Sequence, residues 1–522
     1  MSKHPAPSWR ERVAQWLLRP QQPLRRGVRL YGGARNTRTT GSFGGSASSA
    51  DAELHGSLTM LRNRSRQMVR DSAYAKRARD IVVNNVIGSG VGLQAQVMTV
   101  RDGSAKRVND EIEAAWRAWC GADSCHTGGA LHFCDLERAA MGEVFTAGEV
   151  LLRLHPRAFG SSRVALALEL VEADRLASEF SQITQAEPGN EVRMGVEVDR
   201  FQRPVAYWLR QRHQGDLRPL GDGVTDRLER VPAELIMHLR ITTRWPQTRG
   251  EPWMHAVLRK LDDINEYSQH EITAARASAA YFATIKTPEA AHPLADAEED
   301  DGRVVMDIDP LTIQELRPGE ELDFHTPNRP NSAFAEFMRA MLREIAAGSA
   351  TSYESLSRDY SQSNYSSSRL SLLDDRDTYK ALQQWWVRSF REPLHRVWLR
   401  QAVLARALQT VPIDAYATDP ARYEAALFKC RGWSWVDPTK EVTAYTTAVR
   451  AGLTTLTDVI AATGGGMDIE DVIATRRREL DMLAAAGVEV DTSVQAAEEP
   501  APAAEPDGGA RVVPIVAKSR TA

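Results

Sequence analysis

The chain has 522 residues, of which 43% are hydrophobic and 26% charged, which is enough for two to four domains with a buried core and excludes a largely disordered protein. Its 65 Lys and Arg stand against 69 Asp and Glu, so the molecule as a whole lacks the positive field of a tight nucleic-acid binder. Any contact with nucleic acid must therefore be local or weak. Four cysteines in so long a chain argue against a disulfide scaffold and indicate folding in a reducing cytosol.

The first 56 residues predict a partly flexible N-terminal arm, because the Gly- and Ser-rich run at 32–50 has too little apolar surface to order itself. The apolar run Trp16–Leu18 is too short for the core of a signal peptide. The richest apolar stretch, Ile81–Leu93, is interrupted by two asparagines and three glycines. No segment is therefore expected to span a membrane.

Residues 57–245 predict an α+β region. A helical pattern covers Ser57–Val86, and its basic side favours an exposed or subunit-facing helix over a nucleic-acid or membrane surface. The basic residues are Arg62, Arg64, Arg66, Arg70, Lys76, Arg77 and Arg79. A further helix is expected over 108–120, and β-branched or alternating apolar residues then predict strands. The strands are expected at 149–154, 164–171 and 196–210, with a hairpin turn at 199–204.

Two helical patterns joined by an insert follow. Trp253–Thr287 contains neither Pro nor Gly, and as one helix it would extend roughly 50 Å at 1.5 Å per residue, which is typical of a strut. Ala333–Ala347 predicts a second helix that runs back. Between them, an acidic run at 297–301 and strand-like residues through His325 predict a small β insert.

The segment 349–370 is dense in Ser, Tyr, Asn and Gln and predicts an exposed loop, because it has too few aliphatic residues for a core element. A long aromatic-rich helix is expected over 371–408, and a buried helix is favoured over a cofactor-binding stripe. A last helical section is expected over 433–487, with a break at glycines 464–466. The Pro-, Ala- and acid-rich tail from Gln495 is expected to be disordered. The predicted fold class is α+β, mainly helical.

The sequence lacks the usual catalytic motifs. It has no phosphate-binding G-x-x-x-x-G-K-[ST] loop and no G-x-S-x-G elbow, and His270 lacks the second His of a zinc-protease motif. GSGVG at 88–92 favours a turn over a dinucleotide site. The spacing of Asp374, Asp375 and Asp377 spreads them around a helix, which favours a solvated face over a two-metal nuclease site. We therefore expect no catalytic residue and no cofactor.

Five potential metal ligands lie close together in the sequence: Cys120, Cys125, His126, His132 and Cys134. Their spacing, C-x4-C-H-x5-H-x-C, matches none of the paired-ligand patterns of structural zinc. Structural residues at a helix junction are favoured over a zinc site, and no metal is expected.

Several long strings that mix polar and apolar residues follow one another in a characteristic order along the chain. They are LRRGVRLY near the start, ARDIVVNNVIGSGVGLQAQV at 78–97, GEVFTAGEVLLRL at 142–154, MHLRITTRWPQTRGEPWMHAVLRKLDDINEY at 237–267, SYESLSRDYSQSNYSSSR at 352–369 and WVDPTKEVTAYTTAVRAGLTTLTDVIA at 435–461. The last three are the most specific. In these strings the chain resembles the lambda-type portal proteins of tailed phages, and the resemblance covers about Leu24 to Gly487.

The resemblance implies a portal fold with wing, stem, clip and crown regions, in which the stem is an antiparallel helix pair. The implied regions are an N-terminal arm at 1–56, a wing at 57–245, a first stem helix at 246–288, a clip at 289–331, a second stem helix at 332–348, a tunnel loop at 349–370, a long helix returning to the wing at 371–432, crown-like helices at 433–490 and a disordered tail at 491–522.

The resemblance also implies a non-enzymatic function: one subunit of a ring-shaped channel for DNA packaging and ejection. The ring is a homo-oligomer of about twelve copies, which requires a head-to-tail interface that closes. The implied partners are double-stranded DNA in transit, the terminase large subunit, a head-tail connector or adaptor protein, and the major capsid or scaffolding protein. The protein is expected at the portal vertex of the virion, after synthesis in the cytoplasm of a bacterial host.

The tunnel loop is expected to face the channel and DNA through Ser352, Tyr353, Ser357, Arg358, Tyr360, Ser361, Gln362, Ser363, Asn364 and Tyr365. The clip is expected to dock the terminase through Glu298, Glu299, Asp300 and Asp301. A conduit must pass a polyanion bearing one charge per ~1.7 Å without gripping it. The near-neutral segment 352–369 suits that task, because its hydroxyl and amide groups offer weak contacts that do not depend on sequence.

Two alternatives stay open. A DNA-processing enzyme of the packaging apparatus would need clustered catalytic acids or a nucleophile with its base, and the sequence offers neither. Another structural head or tail protein would lack the long helix and its returning partner.

Overall fold

The computed structural model describes residues 47–97, 104–183, 189–216, 227–280, 283–286, 298–300, 303–305, 321–324, 333–362, 364–433, 438–463 and 469–487. Helices predominate and alternate with short strands, which confirms the α+β, mainly helical class.

The helices are α1 (Ala50–His55), α2 (Leu58–Asp71), α3 (Ala73–Val86), α4 (Ser104–Trp119), α5 (Ala122–Cys125), α6 (Phe133–Ala147), α7 (Leu258–Ala280), α8 (Phe334–Gly348), α9 (Tyr353–Ser357), α10 (Tyr365–Trp386), α11 (Glu392–Leu404), α12 (Ile413–Thr418), α13 (Pro420–Glu424), α14 (Pro438–Arg450), α15 (Leu456–Thr463) and α16 (Ile469–Ala486). The strands are β1 (Gly92–Ala95), β2 (Glu149–His155), β3 (Ala167–Val171), β4 (Gln182–Ile183), β5 (Glu191–Arg193), β6 (Val196–Val198), β7 (Pro204–Arg210), β8 (Leu228–Pro232), β9 (Ile236–Arg240), β10 (Ala283–Lys286), β11 (Glu298–Asp300), β12 (Arg303–Val305), β13 (Glu321–Phe324) and β14 (Ala426–Lys429).

Helices α2 and α3 replace the single helix expected over Ser57–Val86. The backbone is extended at Ser72, with φ −104° and ψ 124°, and this residue ends one helix and begins the next. The expected solvated basic side is wrong for Arg62, which is 1% exposed. Its guanidinium is buried because it pairs with the Glu149 carboxylate, a partner 87 residues away in sequence.

The strands that follow α6 and precede α7 in the chain form two antiparallel sheets. Strand β2 is the centre of a three-stranded sheet in the order β3-β2-β9, and strands β4 to β8 form a five-stranded meander. The hairpin turn expected at 199–204 is confirmed, since the Asp199 N–H donates to the Arg203 carbonyl at 3.0 Å between β6 and β7. The strand expected at 149–154 is also present, whereas β3 begins only at Ala167.

The aromatic helix packs into the main core, as predicted. Trp386, Phe390 and Trp398 are fully buried, and the Trp398 ring meets the edge of Trp116 with centroids 5.0 Å apart. Burying each of these side chains stabilises the fold by about 1.5–3 kcal/mol. The element differs from the expected continuous helix over 371–408, because it starts at Tyr365, ends at Leu404 and contains a five-residue π-turn, Val387–Arg391, between α10 and α11.

Helices α7 and α8 form the expected antiparallel pair. Lys260 pairs with Glu344, and the rings of Tyr267 and Phe337 lie 4.9 Å apart, so the chain directions are opposite. The expected helix over Trp253–Thr287 is wrong at both ends. Residues 253–257 form turns, and the β-branched segment Ala283–Lys286 forms a strand that pairs with Glu321–Phe324. The helix has 23 residues and extends about 35 Å.

The insert between α7 and α8 contains strands, as predicted. Beyond the β10–β13 pair, Glu298–Asp300 pairs with Arg303–Val305 as a second antiparallel ribbon. Three of the four acidic residues assigned to terminase docking therefore lie on a strand, and Asp301 lies outside the described residues.

The C-terminal helices α14, α15 and α16 confirm the expected helical section. The expected break at 464–466 lies outside the described residues, between the end of α15 and the start of α16. From 440 to 487, every side chain that the structure describes is at least partly exposed. In the described part of the chain, no helix combines the length and apolar character that a bilayer crossing requires.

Candidate functional site

The segment 349–370 is only partly the exposed loop that its composition predicts. Ser349 and Thr351 are buried, and Leu356 is 2% exposed within the short helix α9. From Tyr365 onward the chain is helical. Buried Leu356 is enough to anchor one turn, and Asn364 starts α10 as its N-cap.

Ser352, the N-cap of α9, is hydrogen-bonded to helix α10. Its backbone N–H and its hydroxyl both donate to Oδ2 of Asp375, at 3.2 and 2.6 Å. Burial raises the pKa of Asp375, and the hydrogen bonds from Ser352 oppose that effect. The expected solvated face of three aspartates is therefore wrong for Asp375, while Asp374 and Asp377 are exposed.

Asp359 organises the middle of the segment. It accepts hydrogen bonds from the Tyr353 hydroxyl at 2.8 Å and from the Ser361 N–H at 3.0 Å. Hydrogen bonds from Ser361 and Tyr353 lower the pKa of Asp359 to about 2. The Ser357 hydroxyl donates to the Tyr353 carbonyl at 2.7 Å. Tyr353 and Ser357 thus have structural partners within the segment.

Four of the predicted channel-facing residues are exposed together, and we call residues 358–362 the loop tip. They are Arg358, Tyr360, Ser361 and Gln362. Tyr360 is 57% exposed, and Arg358 has the left-handed backbone conformation that ends α9, with φ 61°. Ser363 lies outside the described residues, Asn364 caps α10, and Tyr365 is the first residue of that helix.

The cysteine and histidine group has structural roles at a helix junction. Cys120 and Cys125 are buried, and burial raises the pKa of Cys125 to about 12. The ring of His132 accepts the Cys134 N–H at 3.3 Å and so caps α6. Within the described ranges, no three His, Cys, Asp or Glu side chains are placed to hold one metal ion.

A buried ion cluster, Glu149 with Arg62, Arg249 and His238, was not predicted from the sequence. Oε1 of Glu149 accepts from both guanidiniums, and Oε2 accepts from His238 and from the Gly250 N–H, at 2.8 and 2.7 Å. Burial alone would raise the pKa of Glu149, but Arg249 and Arg62 hold it well below its usual range. Burial lowers the pKa of His238 to about 4, with Arg240 acting in the same direction.

Two glycines allow the close approach that this cluster requires. A Cβ on Gly148, which has φ 89°, would lie 2.3 Å from the Glu251 carbonyl carbon, and a Cβ on Gly250 would lie 2.1 Å from the Gly148 carbonyl oxygen. The cluster therefore joins β2 to the segment that leads into α7 through backbone contact.

A second buried pair lies beside the π-turn. Arg391 approaches Glu137 at 3.5 Å and stacks over the Trp116 and Phe133 rings, each 4.9 Å from its guanidinium carbon. Burial raises the pKa of Glu137 while Arg391 lowers it. The pair is enclosed by the aromatic core and serves packing.

Comparison with known proteins identifies the family. The family model for phage portal proteins of the lambda family matches residues 36–383. A probable portal protein of Halomonas phage phiHAP-1 is 30% identical over 457 residues, covering 85% of this chain and 84% of that protein. Portal protein B of Escherichia phage lambda is 23% identical and covers 86% of this chain and 89% of that protein. The chain belongs to the lambda family of phage portal proteins, which confirms the family and the portal function expected from the sequence.

Solved structures to which the chain is similar include a chain from the neck of an empty gene transfer agent particle computed with C6 symmetry. It is 15% identical and covers 82% of this chain and 98% of its own length, with a TM-score of 0.41. An HK97 family phage portal protein from Corynebacterium diphtheriae is 11% identical and covers 73% of this chain and 98% of its own, with a TM-score of 0.29.

Proposed function

We propose that this portal protein is one subunit of a closed ring at a capsid vertex, and that double-stranded DNA passes through the ring during packaging and ejection. The observation that carries the proposal is the helix pair α7–α8. The pair is joined to the main core at one end and carries the β insert at the other.

The outer part of this pair has apolar side chains that one subunit leaves uncovered. After Ile264 no side chain of α7 whose exposure the structure describes is buried, and Ile272 is 53% exposed; Phe337 on α8 contacts Tyr267 in the seam and is still 44% exposed. Two helices bury only the seam between them, so apolar groups on an outer flank require another surface. A neighbouring copy supplies that surface, and a head-to-tail contact repeated about an axis closes into a ring of about twelve subunits.

We extend the proposal to the regions of the subunit. In our proposal 57–245 forms the wing, α7 and α8 form the stem, the strands between them form the clip, and the helices after 433 form the crown. Exposed apolar side chains support the crown assignment: Leu453, between α14 and α15, and Ile473 on α16 are 82% and 59% exposed, and a neighbouring crown would cover them.

The loop tip would face the DNA. Its side chains are hydroxyl, amide and phenol groups with a single cation, Arg358, next to Asp359. Each phosphate that a cation neutralises adds salt-dependent affinity that translocation must undo, so a tip with little net charge grips weakly. Weak contact that is blind to base sequence is the property that a conduit needs.

The proposed role is structural and not enzymatic. The ATPase motor would be the terminase large subunit, docking at the clip through Glu298, Glu299, Asp300 and Asp301. The head-tail connector and the capsid or scaffolding protein would be the other partners, and the protein would be a component of the virion made in the host cytoplasm.

Native mass spectrometry of the purified full-length chain, with negative-stain microscopy of the same sample, tests the proposal. We expect a ring near twelve copies with an axial opening. A monomer at micromolar concentration, or an oligomer without an axial opening, would contradict it.

A further inference from the structure

We infer that Asp375 is a positioning residue for the loop tip. Its carboxylate holds the start of α9 against α10 and so fixes the position of Tyr360. The inference rests on the proposed function, because positioning matters only if the loop tip meets DNA. It concerns an interaction between segments rather than a new ligand.

The first attachment of the segment is the contact between Ser352 and Asp375. One carboxylate oxygen receives both the backbone N–H and the hydroxyl of Ser352. Ser352 is the N-cap of α9, yet its own hydroxyl makes no capping bond within that helix. Asp375, about three turns into α10 at 3.6 residues per turn, thus binds the residue that precedes α9 rather than an N–H of its first turn, and the Ser352 hydroxyl also contacts the Ser355 hydroxyl at 2.8 Å.

The second attachment is the N-terminus of α10 itself. Oδ1 of Asn364 accepts the Ser367 N–H at 2.8 Å, and the Asn364 N–H donates to the Ser367 hydroxyl at 3.1 Å. This reciprocal capping box fixes the first turn of the helix. The segment between Ser352 and Asn364 is consequently tied to α10 at both of its ends.

Helix α9 also packs on α8 and α3, and the Arg343 guanidinium of α8 lies 5.4 Å from the centre of the Tyr353 ring. Leu356 inserts into the main core, and Nε of Arg77 on α3 donates to the Ser355 carbonyl at 3.2 Å. The loop tip is joined to α9 because Asp359 accepts a hydrogen bond from the Tyr353 hydroxyl at 2.8 Å. Loss of the Asp375 carboxylate would thus leave α9 held by α8, α3 and the core, but it would release Ser352 from α10, so the loop tip that connects the two helices would be less firmly positioned.

The test compares Asp375→Ala, Asp375→Asn and the control Asp377→Ala. Asn keeps an oxygen that can accept both Ser352 bonds, whereas Ala removes the acceptor. Asp377 is a matched control because its side chain is on the same helix, is 78% exposed and pairs only weakly with Lys380 at 3.4 Å. Tyr360→Ala is included as the variant that removes the DNA-facing group directly.

Three measurements are made on each variant: ring assembly by native mass spectrometry, hydrogen exchange of the peptide over 353–362 in the assembled ring, and DNase-protected DNA in particles. For Asp375→Ala we expect normal rings, exchange faster by roughly fivefold, the change that loss of one cap produces, and a loss of protected DNA comparable with that of Tyr360→Ala. Asp375→Asn and Asp377→Ala should match the parent protein.

The outcomes separate the inference from the function on which it rests. Loss of DNA with Tyr360→Ala but not with Asp375→Ala would overturn the positioning role and leave the proposed function standing. No effect of Tyr360→Ala would overturn the DNA-facing assignment of the tip and the positioning role with it. Equal defects in Asp375→Ala and Asp375→Asn would also overturn the inference, because the acceptor oxygen and not the charge is the proposed cause.

Discussion

Arg249 and Glu149 form a fully buried ion pair, with Nε of the arginine 2.7 Å from Oε1 of the glutamate, across 100 residues of sequence. Arg62 shares the same carboxylate oxygen. One carboxylate is therefore the shared counter-charge of two buried guanidiniums, which makes Glu149 the residue on which the cluster depends.

Replacing Glu149 by Ala should destabilise the subunit by about 3–5 kcal/mol, because two buried positive charges would lose their counter-charge. Urea unfolding at matched protein concentration measures the change. Arg70→Ala is the control, since the Arg70 side chain is 74% exposed and its ion pair with Asp71 should contribute at most ~1 kcal/mol. Similar midpoints for the two variants would contradict the central role of Glu149.

Stability should fall as the pH is lowered from about 6.5 to 4. Burial lowers the pKa of His238 and of His395 to about 4, so in this window the unfolded chain binds protons that the folded chain does not. Each histidine should contribute a slope of about 1.4 kcal/mol per pH unit, with stability present above pH 6.5 and lost towards pH 4.

The variant His238→Asn isolates this effect. It should reduce the slope of the free energy of unfolding against pH by about 1.4 kcal/mol per pH unit, the contribution of one proton. An unchanged slope for His238→Asn, measured by urea unfolding at several pH values, would show that His238 is already protonated in the folded protein.

Tyr360→Ala should lower the DNA retained in particles while rings still form. The Tyr360 side chain is 57% exposed at the loop tip, so its loss removes a surface group with little cost to the fold. A phenol hydroxyl that contacts the DNA backbone contributes one neutral hydrogen bond, about 0.5–1.5 kcal/mol. Quantifying protected DNA checks the prediction, and Ser361→Ala serves as a tip variant that keeps the tyrosine.

Ile272→Glu should prevent ring assembly without unfolding the subunit. The residue lies on the outer flank of α7, 53% exposed, where the proposed neighbour would bury it. A charge buried without a partner in an interface costs several kcal/mol. Met60→Glu, at an apolar side chain that is 56% exposed on α2, is the charge-matched control. Intact rings of the Ile272 variant in native mass spectrometry would place the subunit interface elsewhere.

Ala350→Gly should stabilise the joint between α8 and α9 by up to ~1 kcal/mol. Ala350 has φ 54°, a left-handed conformation that costs an L-residue about 1–2 kcal/mol and glycine much less. Gly452→Ala should have the opposite sign, because Gly452 has φ 72° in open space. Thermal unfolding of both variants measures the two changes in stability. Melting temperatures that shift in the same direction would contradict the prediction.

Local patterns predicted the elements whose signals are local. The hairpin at Asp199, the aromatic helix around Trp386 and the returning helix from Phe334 were all recognisable from turn residues or from periodicity. The capping signal at Asn364, with Ser three residues later, was also present in the sequence and could have located the start of α10.

The errors concern groups whose partners are distant in sequence. The burial of Arg62 depends on Glu149, that of Asp375 on Ser352, and the end of α7 on the pairing of Ala283–Lys286 with Glu321–Phe324. A basic or acidic residue on a helical pattern has the same local sequence whether its partner is water or a buried ion. Only the tertiary fold distinguishes the two cases.

Gly148 and Gly250 pack backbone to backbone, and the Gly250 N–H is hydrogen-bonded to Glu149 at 2.7 Å. No side chain lies between these two peptides, so this joint has none of the rotamer freedom that elsewhere absorbs small displacements. We therefore expect a displacement of the segment that leads into α7 to be passed directly to the backbone of β2, which begins at Glu149, without prior repacking of side chains.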